Sequence, residues 1–308
     1  VIVDAVVTGI GVCTPWGDAP ELIPAATERP GPLDDAWFDT AAQLGPRGYK
    51  YLPQACRYLL AAGRRAITSA GSVDTGLRGI AIGTNHATSA QNAAMNDTVA
   101  RTAAYDLSPS TAPYFAVNVF ASRLAIEHDC TAFCLTVTTP LAAGLESLQT
   151  GVRALACGRA DTVLAGATEH RLDGGFAEPG AAVLVFETRA AAVERGARIF
   201  GTCHTGSAYA PAADHVKEAV AAKWSELAAD GLPVTVFLDE TVRTSAIEDA
   251  LREFADHVDV VPVRAGSAGP VWEVARLLAG GAAHRVVAVA GRGGILSLTA
   301  VRPAVSDG

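Results

Sequence analysis

The sequence has a single methionine, Met95, and only three lysines, at positions 50, 217 and 223. Aromatic residues make up 6% of the chain. No Lys/Arg block and no basic patch interleaved with aromatics occurs, and acidic residues outnumber basic ones to leave a net charge of −8. Nucleic acid is therefore excluded as a partner. No apolar run is as long as a membrane span requires, and no charged-then-apolar leader follows Val1, so the chain reads as cytoplasmic with no membrane partner. The cysteines, Cys13, Cys56, Cys130, Cys134, Cys157 and Cys203, include no CxxC pair. The histidines, His86, His128, His170, His204, His215, His257 and His284, share no short metal-binding spacing with one another or with a cysteine. No metal or cofactor is expected on this pattern. The cysteines read as free thiols in core strands and helices.

What the sequence does contain is apolar, at 50% of 308 residues, enough for one large α/β domain or two fused half-domains. Short Val/Ile/Leu-rich runs bounded by Gly, Pro or Asp predict strands at Val1–Gly9, Gly79–Thr84, Phe133–Thr138, Asp161–Ala167 and Ala181–Glu187. A second set follows at Arg198–Ser207, Pro233–Asp239, Val258–Val263, Arg285–Gly291 and Gly294–Val301. Amphipathic stretches such as Leu141–Cys157, Ser245–His257 and Val271–Gly280 lie between them. Two βαβαβαββ patterns imply duplicated halves, 1–190 and 191–308, each with a mixed sheet, and helices both between and outside the sheets. The last two strands of each set are expected as a hairpin at the sheet edge. A single doubly wound sheet is the simpler alternative, and the matching sets of strands favour duplication. Gly291 to Gly294 (GRGG) is not followed by a helix, which argues against a phosphate or dinucleotide loop.

In Thr136–Leu145, TVTTPLAAGL, a strand run stops at Pro140 and a helix opens on small residues. Such a turn presents one side chain at a helix N-terminus, where free N–H groups and the dipole favour a developing anion. Enzymes hold nucleophiles there. Here the presented side chain is Leu141, which has no chemistry.

Several segments resemble the β-ketoacyl synthases, condensing enzymes of the thiolase fold: VVTGIGVCTPWG (Val6–Gly17), CLTVTTPLAAGLESL (Cys134–Leu148), GRADTVLAGATE (Gly158–Glu169), AAVLVFE (Ala181–Glu187) and GRGG. Their order and spacing cover nearly the whole chain. The resemblance implies a thiolase-like α/β fold, its halves forming a layered α/β/α/β/α sandwich. It also implies a Cys nucleophile at the position of Leu141 and two histidines that assist decarboxylation. All three are missing. The segment matching the first histidine motif, VFLDETVRT (Val236–Thr244), offers Asp239 and Glu240, which read as solvated or capping. VRAGSAGPV (Val263–Val271), matching the second, has no histidine. Between GATE and AEPGAAVLVFE only HRLDGGF remains, where ketosynthases carry a long active-site loop.

Within the family, these losses resemble the chain-length factors, the ketosynthase β subunits of type II polyketide synthases, although those commonly carry Gln at the elbow. The resemblance implies a non-catalytic subunit without cofactor. It would form a heterodimer with a catalytic ketosynthase α subunit through Phe133–Thr138 and meet the acyl carrier protein through that complex. The tunnel floor would fall on the helix after the second strand, near Ser89, Asn92 and Asn96, with Met95 beside them. Thr111 and Phe115 fall in the part that resembles the segment reaching into the partner. A solvated polar face fits Ser89, Asn92 and Asn96 equally well. The trimmed loop and a gate region without large aromatics favour a highly reducing, polyene-type system. The competing expectation is a diverged condensing or acyl-transfer enzyme that uses Cys134, or Glu169 with His170.

Overall fold

The computed structural model describes residues 4–30, 36–71, 76–171, 178–239, 244–263, 266–281 and 283–304. Its strands are β1 (Ala5–Cys13), β2 (Arg78–Gly83), β3 (Phe133–Val137), β4 (Thr162–Glu169), β5 (Gly180–Thr188), β6 (Gly201–Tyr209), β7 (Val234–Asp239), β8 (Val258–Val263), β9 (Arg285–Gly291) and β10 (Ile295–Pro303). The helices are α1 (Thr40–Leu44), α2 (Gln54–Ala70), α3 (Ser89–Arg101), α4 (Asn118–Glu127), α5 (Ala143–Ala156), α6 (Arg189–Glu194), α7 (Val216–Glu226), α8 (Thr244–Arg252) and α9 (Ala268–Ala279). Every predicted strand run overlaps a strand, and Val1–Val3, the start of the first run, lie outside the described residues. β1, β2 and β4 are buried along their whole length, which is why they read as unbroken apolar runs rather than as an alternation. β1 continues past its predicted end at Gly9 because Ile10–Cys13 pair with Ala181–Leu184. A Cβ at Gly11 would lie 2.0 Å from the Ala62 carbonyl oxygen, so this glycine lets α2 approach the strand and does not end it.

The strands follow the order β3-β2-β4-β5-β1-β6-β10-β9-β7-β8. Counted from its own first strand, each set of five has the same order, and the two sets are joined where Val7 of β1 meets Gly201 of β6. The antiparallel pairs β4/β5 and β9/β10 are therefore interior, and the expectation of edge hairpins is corrected. β1 and β6 lie beyond them, and the outer edges are β3 and β8. Strand order is a long-range outcome that no local run encodes.

Three apolar cores give the layers. α5 and α9 pack between the two halves of the sheet, with Leu145, Leu148, Val271 and Val274 against Phe186, Val163, Val287 and Val289. α2 and α4 cover the outer face of the first half through Leu59, Leu60, Phe120 and Leu124. α7 and α8 cover the second through Val220, Trp224, Ile247 and Leu251. The result is the α/β/α/β/α sandwich of the thiolase-like fold. Among the described residues no helix is long and apolar enough to cross a membrane.

Two expectations about placement are corrected. Cys134 and Cys157 are exposed, while Cys13, Cys56 and Cys203 are in the core and Cys130 is half-buried. β3, which carries Cys134, has only β2 as a neighbour and one face open to solvent, so its apolar sequence does not bury it. Asp239, at the end of β7, is buried rather than solvated, and Glu240 lies outside the described residues.

Candidate functional site

Between β3 and α5 the chain turns through Thr138–Ala142. Leu141 has φ +59°, one of three non-glycine residues with positive φ among those described. Its side chain is 5% exposed and belongs to the central core. The left-handed conformation is what swings the residue at this point toward the sheet ends. The Ala142 N–H donates to the Pro140 carbonyl (2.7 Å) and the Ala143 N–H to that of Thr139 (2.9 Å). The small residues that follow are dictated by packing. A Cβ at Gly144 would lie 2.2 Å from the Ser267 carbonyl oxygen and 2.7 Å from a Val271 methyl, so α5 meets α9 almost backbone to side chain.

Asn85, in the loop after β2, holds this turn. Its Nδ2 donates to the carbonyls of Thr138 and Thr139, both at 3.1 Å, and its Oδ1 accepts from the Leu141 N–H at 3.0 Å. Asn85 is held in turn by Glu169, at the end of β4. Glu169 Oε1 accepts from the Asn85 N–H (2.7 Å), the Ser267 N–H (2.9 Å) and the Ser267 hydroxyl (2.7 Å), and Oε2 accepts from the His86 N–H (2.8 Å). Burial pushes the Glu169 carboxyl upward against the pull of these donors. One fully buried carboxyl thus fixes the loop after β2, the start of α9 and, through Asn85, the elbow. Sequence reasoning missed Asn85, since a single asparagine after a strand carries no local signal.

The alternative reading invokes Glu169 and Cys134. Glu169 spends both oxygens on structural donors. Partial burial raises the Cys134 thiol, with the Ser122 hydroxyl 3.9 Å away, and the other thiols with resolved shifts are raised as well. A raised thiol holds less thiolate at neutral pH. Among the described residues no cluster of His, Cys, Asp and Glu could hold a metal. Gly291 closes over the elbow, a Cβ there falling 3.1 Å from the Pro140 carbonyl oxygen.

None of the expected gate residues is fully buried. Ser89, Asn92 and Met95 are half-buried on α3 and Asn96 is exposed; no residue of α3 is fully buried. Thr111 is half-buried, and Phe115, at the end of the 3₁₀ turn Ala112–Phe115, is 60% exposed. Ile126 on α4 and Leu135 on β3 are also exposed, at 68% and 49%.

The model of the β-ketoacyl synthase N-terminal domain matches residues 18–182. Similar solved structures include the ishigamide ketosynthase/chain length factor, at 18% identity and TM-score 0.74, over 97% of this chain and 99% of that one. A type II polyketide synthase acyl-carrier protein in complex with its ketosynthase bound to the hexaketide is similar at 17% identity and TM-score 0.76, over 97% and 99%. A β-ketoacyl synthase from Burkholderia phymatum is similar at 16% identity and TM-score 0.75, again over 97% and 99%. Likeness at these identities concerns the fold. No curated protein sequence matches.

Proposed function

The chain belongs to the β-ketoacyl synthase family, and on that premise we propose that it is a non-catalytic chain-length-factor subunit. The carrying observation is the elbow itself. Its left-handed backbone is formed, yet the residue it presents is a buried leucine. The Leu141 N–H donates to Asn85 Oδ1. The segment matching the first histidine motif presents a buried Asp239, and neither matching segment contains a histidine.

In this reading a catalytic ketosynthase supplies the nucleophile and both histidines. It pairs along β3 in a cytoplasmic heterodimer, and carrier protein reaches the pair through the ketosynthase. The open edge of β3 and the exposed Phe115, Ile126 and Leu135 support a partner on this side. α3 then forms the floor of a shared tunnel, with Ser89, Asn92, Met95 and Asn96 as gate residues and Thr111 and Phe115 reaching toward the partner. The short segment after Glu169 and a gate region without large aromatics favour a highly reducing, polyene-type product.

The test is intact-mass measurement of the chain incubated with acyl and malonyl carrier protein. No acyl adduct forms on the wild type and no malonyl group is decarboxylated, and Leu141→Cys alone does not restore condensation, because the histidines are still missing. A covalent acyl adduct on the wild-type chain refutes the reading. With the partner present, Asn92→Trp shortens carrier-bound chains in mass spectrometry, and an unchanged distribution in an intact complex moves the gate elsewhere.

A further inference from the structure

A second feature lies at the opposite end of α5 from the elbow. β6 pairs with β10 along its full length and, among the described residues, meets β1 at Gly201. Beside β6 is a groove of about 770 Å³, lined by α5 on one face of the sheet and α7 on the other. Pockets of this size suit a small organic ligand. Arg153, on α5, lies roughly 15 Å along the helix from its first residue, which separates the groove from the elbow.

The lining of the groove includes Arg153, Lys223 and Arg302 against one carboxylate, Glu226, leaving two positive charges uncompensated on a chain of net charge −8. Lys223 Nζ is 2.6 Å from Glu226. Arg302 is fixed by donating to the carbonyls of Leu227 (2.7 Å) and Ala228 (3.0 Å). Arg153 is exposed, and among the described residues its guanidinium has no partner. Beside the cations the wall is polar. The Ser207 hydroxyl donates to Gln149 Oε1 at 3.1 Å and lies 3.0 Å from that of Ser297.

We propose that this groove binds a small phosphomonoester, its phosphate on Arg153, Lys223 and Arg302 and its polar body along Thr205 and Ser207 of β6. Two uncompensated charges match a phosphate dianion, whose second pKa is about 6, better than they match a carboxylate. Such a ligand would touch α5 from the first half of the chain and β6, α7 and β10 from the second. The proposal rests on the groove alone and stands or falls independently of the elbow.

Calorimetric titration of the purified protein, with its partner subunit where one is needed for solubility, provides the test. The probes are ribose 5-phosphate and inorganic phosphate, with ribose and acetate as controls. Ribose 5-phosphate binds with a Kd of about 1 mM or tighter, while ribose gives no heat and acetate binds more weakly than either phosphate. Arg153→Gln, at an exposed position that folding does not need, weakens binding about tenfold or more. Arg252→Gln, on α8 outside the groove, leaves it unchanged. Failure of both phosphates to bind overturns the proposal, as does equal binding of acetate or undiminished binding to a folded Arg153→Gln protein.

Discussion

A leucine in the left-handed region costs about 1–2 kcal/mol relative to ordinary backbone. At position 141 that cost is offset by burying the side chain in the central core. The two contributions can be separated by substitution. Leu141→Ala keeps the strain and empties the site, so it destabilises by about 3 kcal/mol. Leu141→Gly loses the same contacts but relieves the backbone, and is less destabilising than the alanine variant by about 1 kcal/mol. Urea denaturation of the two variants checks this, and alanine more stable than glycine would contradict the left-handed elbow. Gly144→Ala, with its methyl driven against Ser267, costs about 2 kcal/mol in the same assay. At this scale the elbow was legible, because a strand run, a proline and small residues occur in a fixed order. Asn85 and Glu169 were not legible as a pair, since folding brings positions 85 and 169 together from the ends of two different strands. Cys134 misled in the opposite way. Its neighbours have the composition of a core strand, but exposure is decided by which strand reaches the edge.

Among elements, β3 and α3 have the least within the chain to cover them. An unpaired strand edge with exposed apolar side chains promotes self-association. Leu135→Glu therefore has opposite effects in two settings. Expressed alone, the variant is more soluble and less self-associated than the wild type; co-expressed with a ketosynthase, it no longer elutes as a one-to-one complex. Size-exclusion chromatography with light scattering measures both, and an intact complex would remove β3 from the pairing surface. Stable interfaces of this kind bury more than about 2,000 Å². Helix and strand positions were readable because burial on both faces leaves long apolar runs. Strand order was not: the insertion of β1 between β5 and β6 depends on partners nearly 180 and 200 residues away, Glu187 and Gly201 among them.

For the molecule as a whole, acid stability reports on histidines buried without charge. Burial lowers His128, at the end of α4, with Arg78 and Arg64 also opposing its protonation and Glu127 and Asp129 favouring it. Burial lowers His204 too, with Arg302 acting in the same direction. A depressed histidine is neutral in the fold while the unfolded chain takes up its proton at about pH 6.5. Stability is then constant above that pH and declines as the pH falls from it toward the lower, folded-state value. The urea midpoint should fall between pH 7.5 and 5.5, and His128→Phe should flatten part of that slope. An unchanged slope would mean that His128 is not buried as described. The duplication of the strand-and-helix pattern, though not the strand order, was legible at this scale because two sets of five runs recur along the chain.

The meeting of the two half-sheets at Gly201 also determines how the protein answers a mechanical load. Val7 faces Gly201 from one side and Pro303 from the other, so the first and last strands of the described chain flank one residue. With strands spaced about 4.8 Å apart, the two points of attachment are only roughly 10 Å from each other. A pull between them acts across the strands, in line with the hydrogen bonds of an antiparallel ladder rather than against all of them together. β10 would peel from β6 bond by bond, starting at Pro303, with little force needed at any moment. A fold held by three packed cores would still open under tension like a zip, from the seam between its halves.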